Sequence, residues 1–219
     1  MPLPEYEKIS GLEGISRSSA STHLHVIEEE EAKGEVADLY QHFRSHFGRP
    51  EVPGILKCFA THPPLLRHMM DLSESLIFSD GHLKRRHKEM IATLVSSQNG
   101  CVYCADSHGY FLRVHGGSPE TLCASQQNDL GSPSLTAAER ALLGFVGKVN
   151  HRAQEISTED VQSLRSEGWS EPQIAEAIHI AALFATFNRV ANAFGLQSQG
   201  LLAAYDREVN RGSLEGSTR

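Results

Sequence analysis

The segment SEPQIAEAIHIAALFATFNRVANAFG, residues 170–195, restricts the fold more than any other stretch of the chain. It opens on Ser170 with Gln173, a capping box in which the paired side chains satisfy backbone donors of the first turn. Within it, Ile178 to Phe187 form the longest apolar run, about half the length a bilayer requires, and the run contains His179. The segment therefore reads as a buried helix and not as a membrane span. A buried helix needs other elements around it, and the rest of the chain has to supply them.

The same grammar recurs upstream. TAAERALLGFVGKV starts with a second capping box, Thr136 with Glu139. HPPLLRHMMDLSESLIF opens with prolines that suit a first helical turn. LKRRHKEMIATLVSSQNG carries Met90, Ile91, Leu94 and Val95 on one face, and CVYCADSHGYFLRVHGG closes on glycines suited to a left-handed cap. A run of glutamates from Glu28 reads as acids favoured by a helix N-terminus, followed by Val36, Leu39, Tyr40, Phe43 and Phe47 at helical spacing. Few segments alternate with period two. The chain reads as all-α: a compact multi-helix domain over 28–210 that includes LLAAYDREV, an N-terminal arm at 1–27 and a polar tail at 211–219. The arm is rich in Ser and Gly without periodicity, which suits a segment that is mobile or ordered only against a neighbouring subunit.

A chain of 219 residues buries a substantial core without disulfide staples. Its four cysteines, Cys58, Cys101, Cys104 and Cys123, follow no framework spacing, and the opening MPLPEYEKIS has neither the basic nor the apolar region of a secretory signal. These features point to a reducing, cytoplasmic setting, where a close cysteine pair is catalytic or metal-binding more often than structural. A formal net charge of −7 provides no broad basic field for phosphate backbones. Neither nucleic acid nor a membrane is an expected partner.

The chemistry concentrates in NGCVYCADSH, residues 99–108. If a helix begins near Cys101, then Cys101, Cys104 and His108 share one face, which Phe111, Leu112 and His115 continue. Two readings stay open. The face is a buried seam that happens to carry polar atoms, or it is a reactive thiol pair, in which first-turn N–H groups stabilise a thiolate and one sulfur resolves what forms on the other. Helices over about Leu83 to Gln98 and Val102 to His115, joined by a few residues, should pack as an antiparallel hairpin. That hairpin orders thiol, imidazole and the carboxylate of Glu89 along its length, so that His108 takes the thiol proton and Glu89 orients the imidazole. Against this, Glu89 sits off the apolar stripe beside Lys88, and periodicity alone makes it a solvated glutamate.

Glu89, Cys101, Cys104 and His108 together form E-x11-C-x2-C-x3-H. This pattern resembles the signature of the carboxymuconolactone decarboxylase-like superfamily, in particular its alkyl hydroperoxidase D branch of peroxidase-related proteins, and the similarity extends from about Glu28 to Leu202, including FNRVANAFGL. The resemblance implies the helical alkyl hydroperoxidase D-like fold, with the C-x-x-C motif on a hairpin. It implies Cys104 as the peroxide-attacking thiol, Cys101 as the resolving thiol that meets the reductant, and His108 with Glu89 as the proton relay. It further implies a homo-oligomer, a peroxide substrate, an unidentified thiol reductant protein, and neither cofactor nor metal. Tyr103 stands between the cysteines where the best-known peroxidases carry a histidine.

Other readings compete with the peroxidase. A zinc site from Cys101, Cys104, His108 and Glu89 lacks the second paired motif that C-x-x-C normally meets. A cofactor-free decarboxylase-like or proton-transfer enzyme would not need two thiols, and a redox-sensing disulfide protein would. Cys58 and Cys123 lie singly among apolar residues and read as inert packing. His62, His68, His87, His115 and His151 have no ligand-set spacing. Asn188 and Arg189 interrupt an apolar helix, where a structural tie between helices is the simpler use, and Trp169 reads as a packing residue.

Overall fold

A computed structural model describes residues 22–216, among which there are ten α-helices and no strand. In chain order they are α1 (Glu35–Phe47), α2 (Gly54–Lys57), α3 (Pro63–Ser73), α4 (Arg85–Gln98), α5 (Val102–Val114), α6 (Pro119–Gln127), α7 (Ala137–Arg152), α8 (Thr158–Ser166), α9 (Glu171–Phe194) and α10 (Leu201–Gly216). A π-helical turn, Glu74–Phe78, extends α3. The all-α expectation holds, and both capping boxes form: the Glu139 N–H donates to Thr136 Oγ1 at 3.1 Å, and the Ser170 N–H donates to Gln173 Oε1 at 2.9 Å. A third box, Ser157 with Asp160, starts α8. The arm expected to lie on a neighbouring subunit falls, for residues 1–21, outside the described residues. Its last part is tied to its own chain, since the His23 N–H donates to Phe194 O at 2.8 Å. At the other end α10 continues to Gly216, into the span read as a tail.

Helix α4 organises the rest. It packs against α5, α6, α7 and α9, and its residues Lys88 to Ser96 are buried without interruption. The single apolar face read from Met90, Ile91, Leu94 and Val95 was therefore too narrow: a helix enclosed on all sides has no solvent face for its polar residues. Helix α9 is the second core element. It is 24 residues long and apolar enough by composition to cross a membrane, but 56% of its most apolar window is buried within this fold. Ile174, Ala177, Ile180, Ala181, Phe184 and Ala191 pack into the same core as α4. Trp169 packs there too, and its indole N–H donates to Ala138 O at 2.9 Å.

The glutamates from Glu28 are not at a helix N-terminus. They form a turn ahead of α1, and their partners come from elsewhere in the chain. Glu29 accepts from Arg44 Nη1 at 2.5 Å and from the Val52 N–H at 3.0 Å, while Lys57 Nζ donates to Glu28 at 2.7 Å. Burial works to raise the Glu29 carboxyl, but those donors hold it below its usual range.

One ion pair fixes α4 against α9. Lys88 Nζ lies 2.7 Å from Glu176 Oε1, and it also donates to Leu76 O at 2.8 Å and Ser79 O at 3.1 Å. Glu176 Oε2 accepts the N–H groups of His82 at 2.7 Å and Leu83 at 2.8 Å. Removing one partner of a buried pair strands the other charge, at a cost of roughly 3–5 kcal/mol. Lys88→Met should lose stability on that scale in urea melts. The double variant Lys88→Met/Glu176→Leu should not recover wild-type stability, because the His82 and Leu83 N–H groups then lose their acceptor.

Candidate active site

The site begins at the turn between α4 and α5. Gly100 adopts φ +61°, a left-handed conformation open to glycine at no steric cost, and its N–H donates to Ser97 O at 3.1 Å. The Cys101 N–H then reaches back to Ser96 O at 2.9 Å. This reversal makes Cys101 the N-cap of α5, and its sulfur accepts the Cys104 N–H at 3.5 Å. The hairpin and the i, i+3, i+7 face predicted from the sequence are both present. Cys101 and Cys104 are buried, at 1% and 3% exposure.

Buried thiols are ordinarily held neutral, and here the pair divides the effect. Cys101 is lowered to about 7: the Cys104 thiol donates to it, and the backbone N–H groups of Cys104 and Tyr103 and the Asn188 amide add to this against the opposing penalty of burial. Cys104 is pushed up, first because its proton is held in the bond to Cys101 and then by burial. The proton is thus held more firmly on Cys104 than on Cys101.

One turn further along α5, His108 Nδ1 lies 2.7 Å from Glu89 Oε2. Glu89 is fully buried, which corrects the solvated glutamate that periodicity implied. Its position off the apolar stripe of α4 points it at α5, because α4 has neighbours on every side. Arg85 Nε donates to the other oxygen, Oε1, at 2.6 Å. Burial works to raise the Glu89 carboxyl, and the charges and hydrogen bonds of His108 and Arg85 overcome it and hold the group low. An ionised carboxylate only accepts, so the proton on Nδ1 of His108 is the donor and Nε2 is left free to accept one. Arg85 was missed in the sequence. It stands four residues before Glu89, the spacing of a helical ion pair, and its guanidinium also lies 4.7 Å from the centroid of the Phe78 ring.

Asn188 links the turn to the core. It is fully buried on α9, donates to Ser96 Oγ at 3.0 Å and accepts from Asn99 Nδ2 at 3.0 Å. Asn99 continues to Asn150 of α7 at 3.2 Å, and Asn192 donates to Asn99 O at 3.2 Å. The structural tie read from the sequence is therefore present, and the same Asn188 amide also favours the thiolate. Arg189 faces outward and donates only to Ala185 O at 2.6 Å.

A cleft of about 810 Å³, counted out to its mouth, opens on this site. Cys104, Ser107, His108 and Phe111 of α5 line one side, facing Phe43 and Phe47 of α1, Ile77 and Phe78, and Phe184 and Phe187 of α9. Cys101 is not in the wall. The charge of the pair rests on one sulfur, and access belongs to the other.

The remaining cysteines lie apart from this cleft. Cys58 is buried and pushed up to about 12 by burial, so it stays a neutral thiol. Cys123, read as packing, is exposed on α6 instead. Its helix turns only a few residues inward, and the apolar neighbours in sequence are not its neighbours in space. His87 sits against Trp169, with ring centroids 5.1 Å apart.

Fold and site together define an all-helical protein with a buried dithiol at a helix N-terminus and a carboxylate-backed histidine one turn behind it. Residues 63–143 match the carboxymuconolactone decarboxylase family, and this match together with the structural likenesses supports the superfamily of that name. Among solved structures it is similar to the alkylhydroperoxidase AhpD core of an uncharacterized peroxidase-related protein from Ralstonia eutropha JMP134, with 25% identity, a TM-score of 0.73, and coverage of 83% of this chain and 94% of that one. It is likewise similar to an uncharacterized peroxidase-related protein from Silicibacter sp. TM1040, with 28% identity, a TM-score of 0.71 and the same coverage of 83% and 94%. A debrominase in complex with 2,3,4-tribromopyrrole shares the fold at 19% identity and a TM-score of 0.69, covering 86% of this chain and 98% of that one. No curated protein matches the sequence.

The divided pair has a measurable signature. A single thiolate should titrate with a midpoint near 7, well under the ordinary 9.0, as followed by its ultraviolet absorbance. Cys101→Ser should abolish that transition, and Cys104→Ala should move its midpoint upward, because the donor to Cys101 is gone. A midpoint that disappears in Cys104→Ala and survives in Cys101→Ser would reverse the assignment.

Proposed function

We propose that the protein is a thiol-dependent peroxidase that reduces organic hydroperoxides with the Cys101–Cys104 pair and a His108–Glu89 proton relay. The observation that carries this reading is the full burial of Glu89 against His108 Nδ1, in the wall of a cleft that also presents Cys104. A buried ion pair contributes little to stability, since desolvation cancels most of its attraction. A buried carboxylate behind an imidazole, beside a cleft-facing thiol, is what proton transfer at that thiol requires. The peroxidase-related relatives agree with this reading.

In the first step His108 Nε2 takes the Cys104 proton. The Cys104 sulfur attacks the outer peroxide oxygen, the O–O bond breaks, and the departing alkoxide takes the proton from the imidazolium. This yields a Cys104 sulfenic acid and an alcohol. Glu89 stabilises the imidazolium during the exchange, and Arg85 keeps Glu89 ionised. In the second step the Cys101 thiolate attacks the Cys104 sulfur, the S–S bond forms, and the released hydroxide is protonated to water. The resting charge on Cys101 thus prepares the resolving step, and access prepares Cys104 for the attack. An external thiol reductant then supplies the two electrons that reopen the disulfide.

The two cysteines should differ in kind when removed. Cys104→Ser should abolish peroxide-dependent thiol loss in stopped flow, whereas Cys101→Ser should form a sulfenic acid on Cys104 that cannot close to a disulfide. His108→Gln should slow the first step by roughly 10²- to 10⁴-fold, and Glu89→Gln should show a weaker form of the same defect. Unchanged rates in Cys104→Ser and His108→Gln would reject the peroxidase.

A homo-oligomer belongs to this reading. Leu65 and Leu72 of α3 and Val102 and Val114 of α5 are exposed apolar side chains that an assembly would cover. Light scattering should give a multiple of the 24.1 kDa chain mass, and a stable monomer at micromolar concentration would reject the assembly.

A further inference from the structure

The cleft contains more than apolar walls. Arginines around it are neutralised within the fold: Arg44 contacts Glu29, Arg67 contacts Glu35, and Arg85 contacts Glu89. Arg49 differs. It is half-buried in the wall of the cleft, and it has no hydrogen-bond or ion-pair partner among the described residues. Placing a guanidinium with no partner among the described residues in a largely apolar wall sacrifices hydration.

Tyr103 supplies a second unused donor. Its hydroxyl accepts the Ile55 N–H at 3.4 Å, and its own proton has no acceptor among the described residues. Burial raises its ionisation above the ordinary range, so the phenol stays a donor. Arg49 and Tyr103 both line the cleft. A guanidinium and a phenol O–H lining one cleft are donors that a carboxylate takes up in short, charge-assisted bonds. Phe43, Phe47, Phe184 and Phe187 form much of the remaining lining, with Ser73, Ser107, His108 and Gln199 as its other polar members.

We propose that the cleft takes an apolar organic acid, its carboxylate held by Arg49 and Tyr103 and its hydrocarbon body laid along the phenylalanine walls. Combined with the peroxidase reading, on which this last step rests, the hydroperoxide reduced is that of an apolar carboxylic acid. Tyr103, in the position where the best-known peroxidases carry a histidine, then contributes to substrate recognition.

Two measurements separate the acid site from the peroxidase chemistry. By calorimetry, decanoate should bind the wild-type protein about 10- to 100-fold more tightly than decanol, the range expected of charged hydrogen bonds. That preference should shrink toward unity in Arg49→Gln and weaken in Tyr103→Phe. In turnover, linoleic acid hydroperoxide should show a KM lower than its methyl ester by a similar factor, again lost in Arg49→Gln. Equal binding of decanoate and decanol to wild type overturns the acid site, as does a preference that survives Arg49→Gln. Arg49-dependent decanoate binding without consumption of either hydroperoxide supports the acid site and rejects the peroxidase.

Discussion

The carboxylate of Glu89 is the constraint around which the site is arranged. A charge with no exposure is tolerable only with partners on both oxygens, and Arg85 and His108 provide them at 2.6 Å and 2.7 Å. That requirement sets the direction of α4, which must present Glu89 to α5, and it sets the tautomer of His108. It also explains why α4 is enclosed on every side. A neighbour is needed for the apolar positions, for Glu89, and for Lys88, whose ammonium is met by Glu176 from the opposite direction. Two ionic contacts on successive residues of one helix, Lys88 to α9 and Glu89 to α5, lock its rotation about its own axis.

With that rotation fixed, the turn at Gly100 determines the state of the thiols. The N-cap role belongs to Cys101 because the backbone reverses there, and first-turn N–H groups concentrate their partial charge on that sulfur. Cys104, one turn later, receives no such help and keeps its proton, yet it is the sulfur that faces the cleft. Charge and access are therefore separated by a single helical turn. A lone thiolate in the cleft wall would be exposed to every small oxidant, whereas a thiol there stays protonated until a base takes its proton. His108, fixed by Glu89, is that base in the proposed reaction. Asn188 stabilises the arrangement from behind, because it joins the hairpin turn to α9 with the same amide that favours the thiolate.

What was legible in the sequence is what local rules encode. Capping boxes at Thr136 and Ser170 involve residues three apart, and the α4–α5 hairpin follows from a short connection between two periodic segments. The alignment of Cys101, Cys104 and His108 follows from helical geometry alone. Glu89 was misread because periodicity assumes that a helix has a wet face, and α4 has none. The glutamates at 28–31 were misread for the same kind of reason: their partners, Arg44, Val52 and Lys57, lie too far along the chain for any local pattern to show. Cys123 failed in the opposite sense, since apolar neighbours in sequence do not guarantee burial. The cleft itself was invisible, being built from α1, α3, α5 and α9 at once.

The division between legible and illegible parts follows the division of labour in the molecule. The matched family segment, residues 63–143, holds Glu89, both thiols and His108, and with them the chemistry. Phe43, Phe47 and Arg49 precede that segment, and Phe184 and Phe187 follow it, so much of the cleft wall opposite the thiols comes from outside. The hairpin can therefore keep one reactive geometry while the helices around it set what enters. The charge pattern is consistent with this. Within the hairpin the buried Glu89 is neutralised internally, because an unpaired charge there would disturb the thiols, whereas Arg49, with no partner among the described residues, sits outside the matched segment. In the proposed acid site, the sign of that charge is what calls for an anion.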